Sequence, residues 1–274
     1  NTIHALLGRN GAGKTTLMQV LTGQEFETSG TVEVFGAAPR ENAAVLSRVC
    51  FVKESQRYPD NFRVTHALRA ARLLFPNWDA AFAAQLVEEF ALREKQLIKR
   101  LSRGQLSAVG VIIGLASRAP LTFFDEPYLG LDAVARQLFY DRLLTDYSEH
   151  PRTVVLSTHL IDEVSDLIEH VVLIDKGKIL LDEDAEALRD RAVTVTGPGS
   201  AVEQFVAGRP ELHREQLGGF LRVTVTGAPA RPVGTDLEFE PVSLQQFVVR
   251  TTQSHGPQHN DGPVGAGAGR RESS

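Results

Sequence analysis

The chain has 274 residues, a formal net charge of −5 and 42% hydrophobic residues, a composition that suits one large globular domain with an appendage. Its slight acidity argues against the basic stripe that a nucleic-acid surface needs, so no nucleic-acid partner is expected. No apolar run approaches the ~20 residues that span a bilayer, so at a membrane the spanning part would come from another chain.

Ile3 to Leu7 reads as a short buried strand, and it is followed by a glycine-rich turn from Gly8 to Gly13. Lys14 to Leu21 has helical spacing and runs into Gly23, a plausible cap. The chain opens at Asn1, almost inside the first strand, and this predicts a segment upstream of it. Alternation over Thr31-Val32-Glu33-Val34-Phe35-Gly36 predicts an exposed strand. Val49 to Val52 predicts another and contains the single cysteine, Cys50. A lone cysteine there reads as a buried small hydrophobe, and it points to a reducing compartment.

From about 60 to 118 the pattern is helical, with apolar positions Ala67-Leu68-Ala71-Leu74 and Phe82-Leu86-Phe90. Pro76 ends the first of these helices. Leu121 to Phe124 and Val154 to Leu156 are continuous apolar runs, as in strands buried on both faces of a parallel sheet, with a helix over Val134 to Tyr147 between them. Val171 to Leu181 predicts a hairpin that turns at Asp175-Lys176-Gly177-Lys178.

Residues 191–253 read as a small α+β appendage. Its strands fall at Val193-Thr194-Val195 and Leu221 to Val225, with a helix at Val202 to Ala207 and a last helix opened by the capping-box pattern Ser243-Leu244-Gln245-Gln246. From Ser254 to the end, Gly, Pro, Ser and His predict a disordered tail.

Gly8-Arg9-Asn10-Gly11-Ala12-Gly13-Lys14-Thr15-Thr16 fits the phosphate-loop pattern G-x-x-x-x-G-K-[ST]. The glycines let backbone N–H groups of Asn10, Gly11, Ala12, Gly13 and Thr16 turn inward around an anion, and the helix that follows aims its positive end at it. Lys14 reaches the β- and γ-phosphates, and the Thr15 hydroxyl suits Mg²⁺. The apolar strand Leu121-Thr122-Phe123-Phe124 ends in Asp125 and Glu126. Ligands of α/β sheets bind at the carboxyl ends of strands, so these acids belong beside the phosphate loop. Asp125 suits Mg²⁺, and Glu126 can polarise an attacking water.

Leu101-Ser102-Arg103-Gly104-Gln105 resembles the LSGGQ signature of ATP-binding cassette (ABC) ATPases. Gly130-Leu131-Asp132 resembles that family's D-loop, and Ser157-Thr158-His159 its switch histidine. The resemblance covers about residues 1–190. It implies an α/β phosphate-loop NTPase fold with a mostly parallel core sheet, an antiparallel β part, an inserted helical subdomain and, here, the C-terminal appendage.

It further implies ATP and Mg²⁺ as ligands, a second cassette paired head to tail, and a membrane permease as partner. The chain would then be a peripheral protein on the cytoplasmic face. Ser102, Gly104 and Gln105 would face the nucleotide bound by the second cassette, and Asp132 would organise the interface. His159 would contact the γ-phosphate, with Glu126 as the base.

The chain departs from the family pattern in several places. Arg103 stands where the family most often has glycine. Glu54 falls at the Q-loop glutamine position, with Gln56 as the alternative two residues on, and Glu54 is the residue assigned to Mg²⁺. Tyr128 and Leu129 replace small residues after Glu126-Pro127. The adenine-stacking aromatic lies upstream of the loop in the family, and Asn1 to Leu7 contain no candidate for it.

The readings that compete with a transport ATPase are weaker. Repair and chromosome ATPases of this type carry long coiled-coil or zinc-bearing insertions before the signature, and translation factors carry two cassettes. A regulatory module without turnover would not need both Glu126 and His159. Phe239-Glu240-Pro241-Val242-Ser243-Leu244 is similar to the C-terminal end of bacterial exporter cassettes and favours export.

Overall fold

The computed structural model describes residues 1–54, 56–189, 191–227 and 236–254. Strand β1 (Ile3–Leu7) lies between β4 (Thr153–Ser157) and β5 (His170–Asp175), parallel to both. Strand β3 (Leu121–Asp125) pairs in parallel with β4, and β2 (Val49–Val52) with β3. The edge strand β6 (Lys178–Asp184) runs antiparallel to β5, so the order is β2-β3-β4-β1-β5-β6. These strands are short runs of Val, Ile, Leu and Phe because helices cover both faces of the sheet.

The order has a direct consequence. The carboxyl ends of β3, β4 and β1 sit side by side, with Asp125 in register with Ser157 and Ser157 in register with Leu6. Three loops from distant parts of the sequence therefore open onto the same rim.

Helix α1 (Lys14–Leu21) follows β1, and the short α2 (Ala43–Leu46) precedes β2. The helical part comprises α3 (Val64–Leu74), α4 (Ala80–Glu89) and α5 (Arg103–Ala116). Helix α3 ends just before Phe75-Pro76, where a proline forbids the next turn. Helix α5 touches α3 and α4 on one side and β2 and β3 on the other, so it joins the helical part to the sheet. Helix α6 (Ala133–Glu149) covers β3 through Phe139, whose ring meets Phe124 edge-on at 5.3 Å. The Cys50 thiol is buried, and burial pushes its pKa up to about 12, so it stays an unreactive thiol.

Residues 31–36 correct one expectation. They form no strand: Val34 bridges only to Ala37, around a turn in which Phe35 and Gly36 have φ of 55° and 76°. Alternation makes a stretch suitable for a sheet, but a strand exists only where a neighbour completes the ladder, and among the described residues none does here.

The short α7 (Ile161–Val164) follows β4, and α8 (Ala185–Arg189) follows β6. Beyond them lies a separate antiparallel sheet. It contains β7 (Ala192–Pro198), β8 (Glu211–Leu217), β9 (Phe220–Thr226) and β10 (Glu238–Pro241) in the order β10-β7-β9-β8. Helix α9 (Gly199–Val206) packs on β7 and β9 around Val195, Val202 and Val223. Strand β8 escapes sequence patterning because Glu-Leu-His-Arg-Glu-Gln-Leu is a charged, exposed edge. The last helix, α10 (Leu244–Ser254), begins as its capping pattern predicts, with Gln246 N–H donating to the Ser243 hydroxyl at 3.2 Å. Its Leu244, Phe247 and Val248 are buried in the core of the first sheet, against α7 and α8, rather than in the appendage's own core. The expected tail beyond Ser254 lies outside the described residues.

Candidate nucleotide site

A cleft of about 470 Å³ opens at the rim where β1, β3 and β4 end. Its walls are Arg9 to Thr16, Glu54, Asp125, Glu126, Leu129 and His159. Most of the residues that the motifs single out thus meet in one cavity.

The phosphate loop is shaped by contacts that leave no alternative to glycine at its start. Gly8 has φ of 155°, and a Cβ there would lie 2.3 Å from the backbone oxygen of Ile174 on β5. The Gly177 N–H, from the β5–β6 turn, donates to the Ala12 carbonyl at 2.8 Å and braces the loop from behind. Lys14 and Thr15 then fall on the first turn of α1. The Lys14 ammonium is buried, donates to the Gly8 carbonyl at 2.8 Å and lies 3.9 Å from Glu126. A buried ammonium held by its own loop and facing a cleft is suited to pair with an incoming phosphate.

Asp125 is fixed from both sides. The Thr15 hydroxyl donates to Oδ2 at 2.7 Å, and the Ser157 hydroxyl to Oδ1 at 2.6 Å. Thr15 and Asp125 therefore offer hard oxygen donors within hydrogen-bond reach of each other, with the Glu54 carboxylate on the same wall. That donor set fits Mg²⁺, which takes one or two protein oxygens and completes its shell with water and substrate phosphates. When bound, the ion would neutralise phosphate charge.

Glu126 turns the chain sharply. Its φ is 48°, a left-handed conformation that costs free energy for a residue with a side chain. Its N–H is held by the Ser157 backbone oxygen at 3.2 Å, and the Leu129 N–H returns to the Glu126 carbonyl at 3.1 Å. The turn aims the carboxylate at the His159 ring, whose Nδ1 is 2.9 Å from Oε2. The Tyr128 hydroxyl sits between them. It donates to the Glu126 carboxylate, lies 2.9 Å from His159 Nδ1, and accepts the His159 N–H at 3.1 Å and the Thr158 hydroxyl at 3.2 Å.

The signature and D-loop residues lie off the cleft. Ser102 caps α5 in a reciprocal box: its hydroxyl accepts the Gln105 N–H at 3.2 Å, and the Gln105 side chain accepts the Ser102 N–H at 3.1 Å. Asp132 caps α6 by accepting the Ala135 N–H at 2.8 Å. Gly104 packs directly on the D-loop, where a Cβ would lie 2.3 Å from the Gly130 oxygen. Arg103 reaches back to Glu54, at 2.9 Å. Gln56 lines a neighbouring cavity that shares Thr15, Glu54 and Asp125 with the phosphate cleft, so both Glu54 and Gln56 stand beside the Thr15 and Asp125 oxygen donors.

Tyr128 and Ser157 take part in the site in ways that their motifs do not signal. Each acts across sequence separations of about thirty residues that only the sheet closes.

A phosphate loop at the end of a central parallel strand, beside an acidic strand and a histidine, defines a phosphate-loop nucleoside triphosphatase. Residues 1–129 match the family described as ABC transporter. The chain is 31% identical, over 79% of its length and 76% of the relative's, to the Nod factor export ATP-binding protein I of Cupriavidus metallidurans. It is 22% identical to the ABC transporter ATP-binding protein YtrB of Bacillus subtilis, over 70% of its own length and 66% of that relative's, just short of two thirds. Other relatives carry import names. A solved structure described as the ATP binding subunit of an ABC transporter shares the fold, with a TM-score of 0.62 at 22% identity over 69% of this chain and 80% of that one. The chain belongs to the ABC transporter family, as an ATP-binding cassette ATPase.

Proposed function

We propose that the chain hydrolyses ATP at this cleft to drive a separate membrane permease from the cytoplasmic face, in the direction of export. The observation that carries the reading is the meeting of Lys14, Asp125, Glu126 and His159 in one cleft. Loop N–H groups and Lys14 bind the phosphates. Glu126 takes a proton from the attacking water, and His159 orients that water against the γ-phosphate. Thr15, Asp125 and Glu54 would hold the Mg²⁺ that accompanies the nucleotide.

A second cassette completes the site. Ser102, Gly104 and Gln105 stand off the cleft at the N-terminus of α5, where a helix end and a free hydroxyl proton suit a phosphate that this subunit does not itself hold. Asp132 stands at the same rim.

The permease reading is supported by an apolar groove of about 240 Å³ between β2, α3 and α5, lined by Tyr58, Phe62, Ala70, Leu74 and Phe75 among others. Leu73 and Leu74 beside it are 82% and 65% exposed, an apolar surface that suits a partner. Among the described residues no helix is long and apolar enough to cross a membrane. Export is favoured by the Pro241-Val242-Ser243-Leu244 stretch, while the relatives carry both export and import names.

The test is Glu126→Gln. It is expected to bind ATP, to stop turnover and to accumulate as an ATP-bound dimer on gel filtration. Normal phosphate release from the variant would refute Glu126 as the base.

A further inference from the structure

We propose that Tyr128 is a positioning residue for hydrolysis, its hydroxyl holding the Glu126 carboxylate and the His159 loop in one arrangement. The inference rests on the reading of Glu126 and His159 given above and adds a third group to them.

The observations are geometric. Tyr128 is 4% exposed, so its ring is fixed by packing before its hydroxyl makes any bond. Its ring meets the His159 ring edge-on, with centroids 5.5 Å apart at 67°. The phenol oxygen has one proton to give and two lone pairs to receive. The proton goes to Glu126, the His159 N–H and the Thr158 hydroxyl donate to the oxygen, and the His159 Nδ1 lies 2.9 Å from it. One oxygen thus ties the end of β3 to the loop after β4.

The tie matters because the other bonds hold the backbones of the two segments, Glu126 N–H to Ser157 and Leu160 N–H to the Thr158 hydroxyl, and Tyr128 adds the contact that fixes the Glu126 side chain to the His159 loop. Glu126 occupies a left-handed backbone conformation, which persists only where its surroundings over-determine it. His159 lies on a loop, with its side chain 53% exposed. Burial, and then the hydrogen bond to Glu126, push the Tyr128 phenol above its ordinary range, so it remains a proton donor at neutral pH. A smaller residue at position 128 would leave both tied groups free to choose other rotamers.

The experiment compares steady-state ATP turnover by the full chain with Tyr128→Phe, which keeps the ring and removes the hydroxyl. The expected result is a fall in kcat of about ten- to a hundredfold, part of the ~10²–10⁴ that a positioned acid or base contributes, with KM for ATP unchanged. On the residual hydrolysis of Glu126→Gln, followed as single-turnover phosphate release with enzyme in excess over ATP, the same change should have almost no further effect, because the group it positions is already disabled. A purely structural role would instead lower both backgrounds alike.

Wild-type kcat in Tyr128→Phe, or equal factors in both backgrounds, overturns the proposal while leaving Glu126 as the base. Wild-type protein that does not hydrolyse ATP overturns the functional reading itself. Should Tyr128→Phe fail to bind ATP, Thr158→Val removes a donor to the same oxygen. A severalfold fall in its kcat supports the proposal, and an unchanged kcat overturns it.

Discussion

Arg103, at the start of the signature helix, forms an ion pair with Glu54 at 2.9 Å, joining two of the positions where the chain departs from its family's pattern. Both side chains are largely exposed, at 66% and 44%. Such a pair contributes about 0–1 kcal/mol to stability, because water screens it and two long side chains are immobilised. Its consequence is for the cleft: a carboxylate engaged by a guanidinium is less available to a cation.

Arg103→Gly is therefore expected to leave the melting temperature nearly unchanged and to lower the Mg²⁺ concentration needed for half-maximal turnover. Glu54→Gln should retain Mg²⁺-dependent hydrolysis. A Mg²⁺ titration of ATPase activity checks both. If Gln56→Ala removes the Mg²⁺ dependence instead, the Q-loop role belongs to Gln56.

Lys14→Ala should abolish ATP binding in calorimetry. The buried ammonium faces the cleft beside the loop N–H groups, and a charge-assisted contact to phosphate is about twice as strong as a neutral one. Retained affinity would show that the backbone loop suffices.

Gly104→Ala puts a methyl group 2.3 Å from the Gly130 oxygen, which is backbone and cannot swing aside. The signature helix and the D-loop must separate. Overpacking of this kind costs about 1–3 kcal/mol, so a lower melting temperature is expected. ATP-driven dimerisation, followed by gel filtration, should weaken more than ATP binding to the single subunit, since the cleft itself is untouched.

His170 predicts a pH dependence of stability. Its two nitrogens lie 2.7 Å from Asp182 and 2.9 Å from Asp184. Burial opposes its charge, but the two hydrogen-bonded carboxylates outweigh burial and raise its pKa above 6.5. Its contribution is then full below the unfolded value and is lost as pH rises through the folded one. His4, edge-on to it at 5.1 Å, shifts the opposite way, first through burial and then through repulsion from His170. Denaturant melts should show the stability gap between wild type and His170→Gln narrowing as pH rises above the ordinary histidine range of about 6.5. A gap that does not change with pH would rule this out.

Much of this was legible in the amino-acid order. The phosphate loop, the acidic strand end and the Ser157-Thr158-His159 turn are local patterns, because each needs particular residue types at consecutive positions. The strands β1 to β5 were legible because double burial demands unbroken apolar runs. Residues 31–36 and β8 fail in opposite directions for one reason. Strand formation depends on a neighbour: 31–36 alternate without one, and the charged β8 has one in β9.

By itself, then, the sequence determined which groups are present at the cleft: a phosphate cradle, a carboxylate and a histidine, in an order that identifies the family. The tertiary structure decided how they are joined. The parallel order β3-β4-β1 brings Ser157 to Asp125 and Tyr128 to both Glu126 and His159, and the packing of α5 brings Arg103 to Glu54. It also seats α10 in the core of the first sheet, although the chain reaches it only after crossing the appendage. Local motifs record which groups are present, but contacts between distant segments arise from burying apolar faces together, and no short stretch of sequence encodes that.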